Sequence, residues 1–416
     1  MRHGYLSEYF KGVAVKTLSP VEVNVAISHQ HEFNGVNGLK QLLGDIKRTF
    51  AAKCVYLTDV DDNPVFEDIS LTWYDARENH PVRSEWRLYF KPCQALANSI
   101  SGDTLFICRT NDDNLLLLIT EQDSTIEKQM LWLFGIGDSS SPAFTVKSTL
   151  ETEQDRLHFA SRLILEKIGI TPEEEDTNLL DVMLERFNGT FPGTYIFSEF
   201  ARSTLPDISG LDNPDMALLA WMEQEEILFR TLEKHLIADR LQKGFTDNDD
   251  FFKFSISALN RRKARAGLAF ENHVEVLLQH NGIVFSRTPM TENRKKPDFI
   301  FPNISCYNNR DFPVEHLTML GVKTTSKDRW RQVCTEADRI TQKHLLTLEP
   351  RISINQTEEM TAANLTLVVP EEIKNTYTEE QKSIILNVSD FIRLVKDRQK
   401  ILSANTPPVL TSCASD

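Results

Sequence analysis

The apolar residues of this 416-residue chain change period along its length, and that change limits the folds open to it. Over residues 1–135 short alternating runs recur: "VAVKTL", "VEVNVAI", "KCVYLTDV", "EWRLYF", "DTLFICRT" and "NLLLLIT". Asn, Asp, Gly and Pro turns separate them. A period of two puts successive side chains on opposite faces, so these runs predict strands, and their spacing predicts a small barrel or sandwich. One helix is expected among them, at "NGLKQLLGDIKRTFA". From about residue 155 to 282 the spacing becomes three and four, as in "NLLDVMLERFNG" and "FFKFSISALNRRKARAGLAFENHVEVLLQHNG", which predicts helices. After Gly282 come strand candidates "IVFSRT", "DFIFP" and "TMLGVKTT", a helix from Lys327 to Arg339, strands "HLLTLE" and "NLTLVVP", and one last helix through "EEQKSIILNVSDFIRLVKDRQ".

The second part is therefore expected to be α/β, a mixed central sheet flanked by helices. Between the two parts lies "GIGDSSSPAFTVKSTLETEQD", small and polar enough to predict a linker. The expected division is 1–150, 151–402 and a disordered tail over 403–416.

A chain this long exceeds one ordinary domain. The longest apolar runs fall short of the ~20 residues that span a bilayer. The N-terminal "MRHGYLSEYFKG" lacks the apolar stretch of a signal peptide, and the cytoplasm is the expected location. Six scattered cysteines, with no CxxC pair, read as free thiols.

The net charge of −14, taken alone, argues against a polyanionic partner. Its distribution argues otherwise. Residues 151–250 hold 22 Asp/Glu and 9 Lys/Arg, whereas residues 256–345 hold 15 Lys/Arg and 9 Asp/Glu. A basic segment within an acidic chain suits one face that meets nucleic acid, although charge also fluctuates along any sequence.

Within that segment "RKKPDFIFP" sets Asp298 at the head of an apolar strand, and a second strand ends in Lys323. An Asp and a Lys on neighbouring strand ends can meet. The carboxylate offers hard oxygen ligands to Mg²⁺, and the ammonium can orient or deprotonate a water attacking phosphate. A second carboxylate is needed to hold the metal, and two residues before Lys323 stands Gly321. Two acids beside apolar stripes are candidates: Glu336, on the turn of Val333 and Ala337, and Glu271, between Leu268, Val274 and Leu278. Each has a plain alternative, since a Pro-Asp pair is commonly a turn, and strand-end lysines and helix acids are usually solvated. The combination is more specific than its parts.

These residues, with "LGVKTTSKDRWRQVCTEADRI", "ALNRRKARAGLAFENHVEVLL", "NGTFPGTYIFSEFA" and "FPVEHLTMLGVKTT", closely resemble the catalytic domain of EcoRII-type (type IIE) restriction endonucleases. That family is a branch of the PD-(D/E)XK nucleases, and the likeness covers roughly residues 175–370. In it the second metal carboxylate has moved from the lysine strand to the next helix, some thirteen residues on, the interval from Lys323 to Glu336. The resemblance implies Asp298 and Glu336 as Mg²⁺ ligands, Lys323 beside the attacking water and Glu271 as an accessory acid. It also implies that Lys327, Arg329 and Arg331 lie at the major groove, where arginine reads guanine bidentately. Phosphate contact alone, or a solvated basic face, remains the alternative. Arg261, Arg262, Lys263 and Arg265, with "NRKK" at 293–296, suit the DNA backbone. Tyr307 falls in the loop between the catalytic strands.

The resemblance of the first part is more local. "SHQHEFNGVNGLKQLLG" and the strand order resemble the N-terminal pseudobarrel of the same enzymes, which is related to B3 DNA-binding domains. It implies two DNA-gripping arms, one with Lys11, Lys16, His29 and Gln30, the other with Arg77, Asn79 and Arg83. His29 and His31 have no third ligand at useful spacing, which argues against zinc. The family reading implies a Mg²⁺-dependent homodimer that cuts duplex DNA at a CC…GG-type site. It also implies a partner methyltransferase and autoinhibition until effector DNA binds the N-terminal domain; apart from the resemblance, the acidic charge of 151–250 suggests that this region contributes to such a cover by occupying the basic surface. A methylation-dependent nuclease, or a non-catalytic DNA-binding protein on a nuclease fold, stays open as a rival.

Overall fold

The run "LLLLIT" has no polar face, and its place in the fold explains why. In the computed structural model, which describes residues 4–23, 31–60, 64–137, 141–170, 172, 177–326 and 329–405, it is strand β7 (Leu115–Thr120) of an eight-stranded sheet. The other strands are β1 (Phe10–Thr17), β2 (Glu32–Asn34), β3 (Arg48–Leu57), β4 (Glu67–Asp75), β5 (Trp86–Phe90), β6 (Thr104–Thr110) and β8 (Thr145–Lys147). Their order is β2-β5-β4-β3-β7-β6-β1-β8. Only β3 and β7 run parallel; the remaining neighbours are antiparallel.

Both faces of the sheet are covered, so alternate residues of one strand enter different cores. On one face Val13, Val15, Leu116 and Leu118 meet Met130 of helix Thr125–Leu133 and Ile164 of helix Phe159–Lys167. On the other, Phe50, Trp73, Leu88 and Leu117 meet Leu39 and Leu42 of helix Asn37–Leu43. The edge strands β2 and β8 share no hydrogen bonds, yet Phe33 on β2 and Phe144 beside β8 stack edge-to-face, with ring centroids 6.3 Å apart. The sheet therefore curls until its two edges face each other.

Three expectations need correction here. The expected helix over "NGLKQLLGDIKRTFA" ends at Leu43, and Arg48 already begins β3, because Phe50 is needed in the core. The expected linker contains β8, paired with β1 through Val13↔Lys147 and Ala14↔Val146. The expected boundary near 150 also lies inside the first unit, which comprises Met1–Thr171 and Arg351–Gln356. Ile164 and Leu165 bury their side chains in that unit's core, which carries residues 151–171 with it.

The second unit comprises Pro172–Pro350 and Thr357–Asp416. Its five-stranded sheet has the order β13-β12-β11-β10-β9, with β9 (Ser286–Arg287), β10 (Phe299–Phe301), β11 (Thr318–Lys323), β12 (Lys343–Thr347) and β13 (Leu365–Val368). The first three run antiparallel and the last three parallel, which makes the sheet mixed. Two long helices, Pro214–Lys243 and Asn248–His280, begin where the sequence caps them: Asn213 accepts from Met216 N at 3.1 Å and Asp247 from Asp250 N at 2.8 Å.

The expected last helix is two, Glu379–Ile384 and Val388–Asn405. Leu386 between them donates to Leu367 O and accepts from Val369 N, each at 3.0 Å, so the chain runs beside β13 there. Of the expected tail, residues 406–416 lie outside the described residues, and Cys413 with them; the five described cysteines form no disulfide with one another. No helix among the described residues is long and apolar enough to cross a membrane.

Candidate active site

Antiparallel pairing brings Asp298 and Lys323 together. Phe299↔Leu320 and Ile300↔Met319 are in register, so the start of β10 and the end of β11 share one sheet edge. Three buried residues, Phe299, Ile300 and Phe301, anchor the strand that Asp298 precedes. The Asp298 Oδ2 accepts from Val322 N at 2.6 Å and from Lys323 Nζ at 2.8 Å. The Asp298 carbonyl accepts from Thr288 N at 2.8 Å, which ties the residue to its other neighbouring strand as well.

The missing carboxylate on β11 has a steric reason. A Cβ at Gly321 would lie 2.8 Å from Val333 Cγ2 and 3.0 Å from Cγ1. Helix Arg329–Cys334 thus lays Val333 on the spot where an acidic side chain would start. That helix is shorter than the Lys327–Arg339 expected. It stops at Cys334, and Glu336 stands on the turn beyond, followed by Ala337 at φ +50°. The expected apolar side does pack: Trp330, Val333, Ala337 and Ile340 are all buried.

Glu336 itself is 4% exposed, and its Oε2 has no hydrogen-bond partner among the described residues. Burial pushes its carboxyl up to about 7, the Asp298 charge adds to the rise, and Lys323, Lys295 and Lys343 oppose it. Glu271 is raised for the same two reasons, burial first and Asp298 second, against Arg287 and Lys323. The four expected residues therefore feel one another electrostatically.

Sequence reasoning missed Arg287 on β9. Its guanidinium donates to Glu271 Oε2 at 3.2 Å, Asn272 Oδ1 at 2.9 Å and Glu275 Oε2 at 2.6 Å. Only the fold discloses this, since β9 is two residues long and carries no motif.

Two hard carboxylates that influence each other electrostatically, one with a buried oxygen that no donor among the described residues serves, fit a divalent cation. Among the described residues no cluster of three or more His, Cys, Asp and Glu forms a ready-made metal cage.

The expected DNA-contact residues divide by burial. Arg329 is exposed and makes no ion pair among the described residues; Lys327 lies outside them. Arg331 is exposed too, but pairs with Glu359 at 2.7 Å and lies over the Trp330 ring. Lys263 is exposed, whereas Arg262 pairs with the buried Glu233 at 2.6 Å and Arg261 stacks over Phe191. Arg265 is a correction: it is 7% exposed, pairs with Glu225 and Glu226, and covers Phe229, so it belongs to the core and not to a DNA face.

In the first unit Arg77, Asn79 and Arg83 lie exposed between β4 and β5, with Arg77 paired to Glu85. Lys11 is exposed and pairs with Asp113. Lys16 is a second correction, buried against Glu22 and the Phe144 ring. His29 and Gln30 lie outside the described residues.

A mixed sheet flanked by helices, with Asp and Lys joined across adjacent strand ends and an acid delivered from the following segment, defines a restriction-endonuclease-like domain. Residues 229–392 match the EcoRII C-terminal family model. The chain is 36% identical over 230 residues to the type II restriction enzyme EcoRII of Escherichia coli, covering 54% of this chain and 55% of that one. It is 24% identical over 152 residues to the type II restriction enzyme SsoII of Shigella sonnei, covering 34% and 48%. It thus spans about half the length of the curated relatives it matches. Among solved structures, metal-depleted Ecl18kI in complex with uncleaved, modified DNA aligns over 56% of this chain and 87% of that one, at 20% identity and a TM-score of 0.45. A complex of restriction endonuclease PspGI with substrate DNA aligns over 52% and 95%, at 20% identity and a TM-score of 0.42.

Proposed function

We propose that this chain is a type II restriction endonuclease that hydrolyses phosphodiester bonds in duplex DNA with Mg²⁺ as cofactor. One observation supports the reading most: the bonded Asp298–Lys323 pair lies within electrostatic reach of Glu336, whose buried Oε2 has no hydrogen-bond partner among the described residues, while Gly321 is closed to a side chain.

Asp298 and Glu336 would hold the cation, which when bound polarises the scissile phosphate and lowers the pKa of a coordinated water. Lys323, fixed by Asp298, orients the attacking water and offsets charge that develops on phosphate. Glu271, steadied by Arg287, is an accessory acid beside them. Arg329 and Arg331, with Lys327, are candidates to read G·C pairs of a CC…GG-type site; Lys263 and its neighbours Arg261 and Arg262 would grip phosphates. A symmetric site read by one chain per half calls for a homodimer, and a methyltransferase of the same specificity would protect host DNA.

For the first unit we infer a B3-like effector domain. Its curled eight-stranded sheet supports that reading, as do the exposed Arg77, Asn79 and Arg83. Effector DNA bound there would relieve autoinhibition of cleavage.

The deciding experiment incubates supercoiled plasmid with the protein and Mg²⁺ beside Lys323→Ala. Site-specific cutting is expected from the native chain, with a loss of at least about 10²-fold in the variant. Full activity in the variant, or none from either under any divalent metal, would sink the proposal.

A further inference from the structure

The turn that delivers Glu336 has little of its own to hold it. The preceding helix is six residues long, Ala337 lies in the left-handed region, and Glu336 Oε2 has no hydrogen-bond partner among the described residues. A non-glycine residue at such a φ costs of order 1 kcal/mol and persists only where the surroundings enforce it. Three cations do so. Lys343 Nζ donates to Cys334 O at 2.8 Å, and Lys295 Nζ donates to Thr335 O at 2.6 Å.

The third is Arg339, three residues beyond Glu336. Its Nη1 donates to Tyr307 O and to Asn309 O, the latter at 2.9 Å, and its Nη2 donates to Phe312 O at 3.2 Å. Its main-chain N–H donates to the Tyr307 hydroxyl at 3.3 Å, and that hydroxyl donates to Glu292 Oε2 at 2.6 Å. The three carbonyls all belong to the loop between β10 and β11, which joins the strand of Asp298 to the strand of Lys323. One guanidinium therefore ties the acid's turn to the connection between the other two site residues. Half-buried and committed to three carbonyls, it has little left for DNA.

We propose that Arg339 is a positioning residue: by clamping the turn 335–340 to the loop 303–312, it holds the Glu336 carboxylate where a divalent cation can use it. This rests on the reading of Glu336 as a metal ligand. A planar five-donor guanidinium can serve three carbonyls at once, whereas a lysine is a point donor, so Arg339→Lys keeps the charge and loses the clamp.

Two readouts need no catalysis. Mn²⁺ binding to the full chain, followed by its paramagnetic resonance, should weaken about 10- to 100-fold in Arg339→Lys, the range for loss of a group that orients a metal ligand. Amides of 335–340 should exchange faster while protection of the β10–β13 sheet is unchanged. The Mg²⁺ needed for half-maximal cleavage should rise alongside, with most of the rate recovered at saturation. Arg339→Gln is measured in parallel in case the lysine variant is poorly folded; unfolding of both would make the residue a structural staple and overturn the proposal. Native-like Mn²⁺ affinity, or unchanged exchange at 335–340, in a folded variant overturns it too. Absence of Mn²⁺ binding by the native chain itself, or its persistence unchanged in Glu336→Gln, instead removes the metal-ligand reading on which the clamp depends.

Discussion

Glu336 is held in a state that opposes its own charge. Its carboxyl is raised from 4.5 to about 7 in the folded chain, so between those values the native state binds more protons than the unfolded one. Metal-free stability should therefore fall as pH climbs through that window and stay low above it. Glu336→Gln should flatten the slope, leaving the smaller part that comes from Glu271, and melt higher than the native chain at pH 8 in EDTA, with Mg²⁺ closing the gap by stabilising only the native chain. Thermal melts at pH 5 and pH 8 check this, and an unchanged slope in the variant would refute it. At this scale candidates could be named: Asp298, Lys323, Glu336 and Glu271 stand at strand ends or beside apolar stripes, and the family resemblance singled out the thirteen-residue interval; the structure brings their charges within electrostatic reach of one another. Arg287 and Arg339 could not be named, and Lys295, read within "NRKK" as a DNA-backbone contact, donates instead to Thr335 O; each acts on a partner distant in sequence, at carbonyls or acids that no spacing rule marks. Arg265 and Lys16 failed for the complementary reason, because a basic residue in sequence looks the same whether it faces solvent or neutralises a buried acid.

The contact of helix Arg329–Cys334 with β11 decides where the second acid can be. Val333 and Gly321 fill one space between them. Gly321→Ala should destabilise the protein by about 1–3 kcal/mol through overpacking. Val333→Ala should open a void, and the double variant should recover much of the loss, because each substitution makes room for the other. Urea denaturation of the three proteins tests it; strict additivity would mean that the two residues do not share the space. Elements with long periodic runs, such as Pro214–Lys243 and Asn248–His280, were legible to within a few residues. Breaks were not. The end of the helix at Cys334 and the extended segment at Leu386 are set by what the neighbouring strands demand, and the polar stretch before residue 150 hid an edge strand because β8 needs only three residues to pair with β1.

For the whole molecule, the division at residues 171 and 172 alters how autoinhibition should be tested. A chain starting at Pro172 removes most of the first unit without leaving helix Phe159–Lys167 stripped of its core. If the first unit restrains cleavage, that shortened chain should cut single-site DNA faster than the full chain, and added effector DNA should no longer stimulate it. Equal or slower cutting by a folded product would count against restraint.

The curled sheet also has a mechanical consequence. Opening it between any two of its paired strands means parting a ladder of amide hydrogen bonds. At the meeting of Phe33 and Phe144 it means parting two rings, whose edge-to-face contact contributes only about 0.5–1.5 kcal/mol beyond the area it covers. The first unit is thus a bracelet with a clasp, not a closed ring: its two edge strands meet through side chains alone, while every other pair of neighbours shares a backbone ladder.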